Sequence, residues 1–292
     1  MALTETAPPP PPSPELLFAA VLATYSDQHP DGDTDLISRA YERARSLHSG
    51  QKRRSGEPFI THPLIVTETL AAYGMDAATL AAALLHDTVE DTHVTLEEIA
   101  VEFGDEVAAL IDGVTKLDRI RFSSREEAQA ATIRKMAIAM AKDIRVLLIK
   151  LADRLHNVRT LAPLPEEKRR RIAEETIEVY APLAHRLGVQ EMKHEMEERC
   201  FGELYPKRKT ELEELVARRA PEREQYLEKV MLQLTGALED QGIEATLTGR
   251  PKHLYSIYRK MVSSGLAFDE IHDLIGIRVR VHEVRDCYAA LG

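Results

Sequence analysis

The chain has 292 residues, 44% hydrophobic and 29% charged, the balance of a globular protein long enough for two domains. Only 5% are aromatic and none is Trp, so the core is built from aliphatic residues and methionine, a palette that favours helices. Thirty-eight basic against forty-eight acidic residues leave a net charge of −10. That balance argues against general coating of a nucleic-acid backbone, yet leaves room for a small anion in a locally basic pocket. Cys200 and Cys287 are too far apart in sequence for a disulfide framework or a metal knuckle, so a reducing cytoplasm is expected. No apolar run reaches the length of a membrane span, and no charged head precedes an apolar stretch at the N-terminus.

Six of the fifteen prolines fall within residues 8–14, so residues 1–14 read as a disordered, polyproline-like leader. Residues 15–205 read as consecutive amphipathic helices. Asp33 and Thr34 cap a helix carrying Leu36, Ile37, Ala40, Ala44 and Leu47 at helical spacing. Thr61-His62-Pro63 opens another, with proline in the first turn, where its missing N–H costs nothing. Asp76 caps the run Ala77–Leu85, apolar nearly all round and therefore buried. Thr95 and Glu98 have the spacing of a capping box. Residues 144–155 form a strongly apolar helix, and Pro165-Glu166-Glu167 opens a long one that passes Pro182 and ends near Gly188. Composition then shifts. Residues 206–241 read as a charged helical linker, and residues 242–292 as the start of an α/β domain: a strand at 243–248, a helix at 251–264 and a strand over Ile275–Val281. Two strands and two helices are too few to close a core of their own.

The chemistry concentrates in His86-Asp87-Thr88-Val89-Glu90-Asp91, at the end of the buried Ala/Leu helix. His86 and Glu90 are i,i+4, as are Asp87 and Asp91, so ionisable groups form two neighbouring rows. So many charges beside an apolar helix need a cation or tight hydrogen bonding. Read alone, the run is equally a solvated helix end. His62 stands at a helix start, where it serves as a turn residue or a ligand. Asp153 interrupts an apolar helix, with Lys150 at i−3 as the plain partner. Taken together, these residues assemble two nitrogen and two oxygen donors from three helices, the pattern of metal-dependent HD phosphohydrolases.

Five longer segments sharpen this. GQKRRSGEPFITHP at 50–63, LLHDTVEDT at 84–92, KLADRLHNVRT at 150–160, YAPLAHRLG at 180–188 and GRPKHLYSI at 249–257 resemble the RelA/SpoT homologue family, enzymes that make and destroy the alarmone (p)ppGpp. The resemblance implies a mainly α chain: an all-helical HD-type hydrolase domain followed by the truncated start of an α/β nucleotidyltransferase-like synthetase domain. It implies His62, His86, Asp87 and Asp153 as metal ligands, manganese as the metal, and Glu90 and Asp91 as the pair that activates water. It also implies substrate contacts from Arg53, Arg54, Ser55, Asn157 and Thr160. The basic run at 52–54 is otherwise a solvated surface, and Asn157 and Thr160 are otherwise helix C-caps. Lys168 to Arg171 read as exposed to solvent. In the second domain the resemblance gives Arg250, Lys252, Ser256 and Lys260 to ATP phosphates and Asp273 to magnesium.

The expected reaction is metal-assisted hydrolysis of the 3′-pyrophosphate of (p)ppGpp to GDP or GTP and pyrophosphate. Synthesis is expected to be absent, and any ribosome contact to need regions outside this chain. Two rivals stand beside it: a broader HD nucleotidase, and a guanine-nucleotide-binding regulatory module without turnover.

Overall fold

A computed structural model of the chain describes residues 12–118 and 142–292. It forms two units, Met1–Met196 and Glu197–Gly292. Of the proline-rich leader, residues 1–11 lie outside the described residues. Ser13 caps α1 (Pro14–Gln28) by accepting from the Leu16 amide, and Pro14 is the first helical residue, so helix begins inside the segment expected to be disordered.

The first unit is helical. After α1 come α2 (Thr34–Leu47), α3 (Thr61–Ala72), α4 (Ala77–Leu85), the single turn α5 (Thr88–Asp91), α6 (Leu96–Phe103), α7 (Asp105–Asp118) and α8 (Ile144–Arg159). Asp33, Asp76 and Thr95 cap α2, α4 and α6 as the sequence predicts, and Thr95 and Glu98 complete a reciprocal capping box. Every residue of α4 except Ala78 is buried, because α2, α3 and α7 all pack on it and its alanines let them approach closely. Leu64 and Leu70 of α3, Leu80 and Leu84 of α4, and Leu147 and Ile149 of α8 are wholly buried in this core. Each such side chain contributes roughly 1.5–3 kcal/mol.

The long helix through Pro182 is segmented. Glu166–Glu175 is α9, Thr176–Tyr180 is a π-helical turn, and Ala181–Arg186 is α10. Proline cannot donate the next ladder bond, and the Ala181 amide reaches back to the Thr176 carbonyl instead, which widens the turn. α11 (Gln190–Leu204) runs through the division between the units.

The second unit continues with α12 (Pro206–Arg218), α13 (Ala220–Asp240), β1 (Ala245–Pro251), α14 (Leu254–Ser264), a 3₁₀ turn (Phe268–Glu270), β2 (Ile275–Val281) and α15 (Val284–Leu291). β1 pairs antiparallel with β2, from Ala245 opposite Val281 to Pro251 opposite Ile275. The first strand therefore begins and ends later than the predicted 243–248. Ile243 is buried below it, and Pro251 stays in the ladder instead of opening the helix. The Lys252 amide bonds the Leu274 carbonyl, which delays α14 to Leu254. The small core of this unit is not closed by residues 242–292 alone: Phe201 of α11 and Leu212 of α12 join Ile257, Phe268, Ile271 and Leu274.

Candidate metal centre and adjoining cationic cleft

Three helices of the first unit bring His62, His86, Asp87 and Asp153 together. The turn before α3 sets His62: the Thr61 amide bonds the Pro58 carbonyl and the His62 amide the Phe59 carbonyl, so the imidazole enters the core within the first helical turn. At the far end of α4 the carbonyls of Ala83 and Leu85 are taken by side chains. His86 Nδ1 lies 2.8 Å from the Ala83 carbonyl and Thr88 Oγ1 2.6 Å from that of Leu85. Ladder bonding stops there, and Asp87 becomes the entry residue of α5.

His62 Nε2 lies 3.3 Å from Asp153 Oδ1 and 3.5 Å from Asp87 Oδ2, and His86 Nε2 lies 3.0 Å from Asp87 Oδ1. Donor atoms of His62, His86 and Asp87 fall within 4.8 Å of one another. Asp153 also takes Lys150 Nζ at 2.6 Å and the Asn157 amide at 2.6 Å. The plain partner and the ligand-like neighbours are thus both present.

Hydrogen-bond accounting assigns the imidazole protons. Arg53 Nη1 only donates, and it lies 3.0 Å from His156 Nδ1, so that nitrogen is an acceptor. His62 Nδ1, 2.7 Å from the same atom, must then donate to it. A neutral His62 is left with the lone pair of Nε2 facing two carboxylates. The Ala83 carbonyl likewise requires the proton on His86 Nδ1, and the buried Nε2 makes no well-directed hydrogen bond. Nitrogen lone pairs turned toward carboxylates repel, unless a cation stands among them. Two imidazoles and two carboxylates suit a borderline-to-hard divalent ion, so the residues present fit a metal.

Without an ion in the ring the electrostatics treat the two imidazoles oppositely: His62 stays neutral with its lone pair toward the carboxylates, whereas His86 holds a proton that a metal would have to displace. Burial pushes His62 below its ordinary value. Burial opposes charge on His86 too, but the carboxylates of Asp87 and Asp153 outweigh it and push His86 up to about 9. Asp153, despite burial, is held well below the carboxylate range by Lys150 and then His62. Burial, with His62 and Arg53 close by, drives His156 down to about 3, in keeping with its acceptor role.

Glu90 and Asp91 occupy α5, exposed at the edge of the ring. Desolvation and then the charge of Asp87 push Asp91 above the usual carboxylate value. Beside the ring opens a cavity of about 490 Å³, lined by all five candidate substrate residues: Arg53, Arg54, Ser55, Asn157 and Thr160. Lys168 is exposed as expected, but it stands at the cavity edge. Lys52, Lys150 and Arg154 add further positive charge. A turn presents Arg53 and Arg54: the Gly56 amide bonds the Arg53 carbonyl, and Gly56 takes a φ of 92° that a side chain would strain. Thr160 is the C-cap of α8, its hydroxyl donating to the His156 carbonyl, so capping and cavity lining coincide there. His156 is absent from the sequence-derived set. Its spacing from Asp153 on the α8 stripe is the signal that would have found it.

In the second unit Lys252 and Lys260 each lie 2.7 Å from Asp273 and hold its carboxyl far below the usual range. Arg250 lies on β1 opposite Gly276, and Ser256 on α14.

Similarity to known proteins follows the same division. An HD domain matches residues 40–190, and a region found in RelA / SpoT proteins matches residues 249–292. The chain is 59% identical over 256 residues to a GTP pyrophosphokinase of Streptomyces coelicolor, covering 88% of this chain and 30% of that protein. It is 54% identical over 272 residues to the bifunctional (p)ppGpp synthase/hydrolase RelA of Mycobacterium tuberculosis, covering 93% and 37%. It is 48% identical over 276 residues to the bifunctional (p)ppGpp synthase/hydrolase SpoT of Escherichia coli, covering 94% and 39%. The chain thus spans about a third of the length of these curated relatives.

The HD-domain match covers the helical unit that carries the His/Asp ring, so the chain is an HD-domain protein. Within that class the chain belongs to the RelA/SpoT family.

Proposed function

We propose that this chain hydrolyses the 3′-pyrophosphate of (p)ppGpp, returning GDP or GTP and pyrophosphate, in a divalent-metal-dependent reaction in the cytoplasm. The observation that carries the reading is the convergence of His62, His86, Asp87 and Asp153 beside a cavity rich in cations. The relatives named as (p)ppGpp synthase/hydrolases support the choice of substrate.

His62, His86, Asp87 and Asp153 hold the ion, which the family resemblance gives as Mn²⁺. A bound divalent ion lowers the pKa of water and offsets phosphate charge. Glu90 and Asp91 take the proton from the attacking water, and a carboxyl pushed upward, as at Asp91, is the better suited to pass it on to the leaving group. Arg54 and Arg53 supply forked donors for phosphate and a flat face for the purine. Ser55, Asn157 and Thr160 supply neutral hydrogen bonds to base and ribose. The hydrolase domain covers residues 15–205 and is followed by a linker at 206–241. Residues 242–292 begin a synthetase-type domain in which Arg250, Lys252, Ser256 and Lys260 face ATP and Asp273 faces Mg²⁺.

Incubation of the chain with Mn²⁺ and a panel of nucleotides, with product separation, tests this. Pyrophosphate released from ppGpp and pppGpp, and little turnover of GTP or ATP, is the expected result. Orthophosphate release across the panel indicates a broader nucleotidase, and ppGpp binding without turnover a regulatory module. Either outcome rejects the proposal.

A further inference from the structure

Resting on the metal-dependent reading above, we propose that Arg53 is a positioning residue for the metal centre, fixing two ligands through two intermediaries, in addition to lining the nucleotide cavity. One guanidinium spans both. Nη1 donates to His156 Nδ1 at 3.0 Å and Nη2 to Asn157 Oδ1 at 3.1 Å. His156 in turn receives His62 Nδ1 at 2.7 Å, and Asn157 donates to Asp153 Oδ1 at 2.6 Å.

Each link has only one workable polarity. Guanidinium has no acceptor, so it forces a lone pair on His156 Nδ1 and turns the amide oxygen of Asn157 toward itself. His62 must then carry its proton on Nδ1, which frees Nε2 as a ligand. Asn157 must present its NH₂ to Asp153, which leaves the carboxylate charged and oriented. Without Arg53, His156 is free to place a proton on Nδ1. That proton opposes the one on His62 and favours the His62 tautomer whose Nε2 cannot ligate. The Asn157 amide is equally free to turn its oxygen toward Asp153, where two acceptors repel. Groups that orient metal ligands in this way contribute about 10–100-fold to metal affinity. Arg54, the next residue, lines the same cavity and has no hydrogen bond or ion pair to His156, Asn157 or the ring among the described residues.

The test is Mn²⁺ affinity of the full chain without nucleotide, by titration calorimetry or competition with a chromophoric chelator, for wild type, R53A, R53K and R54A. R53A is expected to weaken Mn²⁺ binding by about 10-fold or more. R53K falls between R53A and wild type, because a single ammonium cannot satisfy both partners with forked geometry. R54A keeps wild-type Mn²⁺ affinity and raises the KM for ppGpp. Excess Mn²⁺ restores turnover of R53A toward the wild-type value at saturating ppGpp, which a purely nucleotide-binding or purely structural role does not produce. Wild-type Mn²⁺ affinity in R53A overturns the inference while leaving the proposed function standing. A wild-type chain that binds no divalent ion overturns both. Should R53A fail to fold, R53K decides: a measurable loss of Mn²⁺ affinity supports the inference, and wild-type affinity overturns it.

Discussion

Asp153 shows how much one carboxylate is asked to do. Buried on an otherwise apolar stretch of α8, it faces Lys150, Asn157 and His62 at once. D153N removes the charge and keeps the shape. Metal content and hydrolysis should both be lost, and stability should drop because the buried Lys150 ammonium loses the carboxylate charge 2.6 Å away. Elemental analysis and an activity assay check this, and full occupancy with full activity in D153N contradicts it. E90Q acts differently. Glu90 lies exposed in α5, outside the ring, and the proton-transfer role proposed for it predicts that kcat falls by about 10²-fold or more with KM little changed. A raised KM with kcat preserved reverses the assignment. The ring residues were legible because ionisable side chains stand out against apolar helices. For His156 the i+3 spacing from Asp153 marks only its place on the same face of α8; its contact with an arginine 103 residues away on a separate turn is not legible from local spacing.

Elements carry their own instructions where those are local. Asp76 caps α4, the helix that ends at His86, by accepting from the Thr79 amide and hydroxyl at 2.8 Å each, and it meets Arg145 Nη1 from α8 at 3.0 Å. Burial works against its charge, but the Thr79 bonds and Arg145 outweigh that and hold Asp76 below the ordinary carboxylate value. A depressed folded-state pKa contributes stability above the unfolded value near 4, which is lost as pH falls through the folded one. D76A should therefore cost about 1 kcal/mol at neutral pH, and its difference from wild type should shrink below about pH 4. Denaturant melts at the two pH values measure both; a constant difference contradicts the cap. Where α7 crosses α8, a Cβ on Gly113 would meet Val146 Cγ2 at 2.7 Å. G113A should cost about 1–3 kcal/mol through overpacking, although alanine is the better helix former, and a more stable variant in thermal melts refutes the close contact. Caps such as Asp33, Asp76 and Thr95 could be read from sequence because each reaches only a few residues. The bounds of β1, and the π turn before Pro182, could not: pairing with β2 decides the first, and a proline within a helix fits a kink or a stop as well as the widened turn found here.

Across the whole molecule the order of parts was legible, since the change from aliphatic helical periodicity to charged helices and short strands is compositional. The second core was not, because Phe201 and Leu212 come from helices whose sequence gives no sign of the strands that follow. Among the described residues no helix is long and apolar enough to cross a membrane. The first unit buries a ring of two imidazoles and two carboxylates that suits a divalent ion, so an ion that binds the folded form alone should stabilise it. At a hundred times its Kd the gain is about 2.7 kcal/mol, seen as a higher melting temperature with Mn²⁺ that chelator reverses and D153N lacks. The account rests most directly on one measurement: ppGpp incubated with the metal-stripped chain, before and after Mn²⁺ is restored, with pyrophosphate and GDP quantified. The account predicts no release without the ion and stoichiometric pyrophosphate and GDP with it. Equal turnover in the stripped and reloaded protein, or none in either, contradicts it.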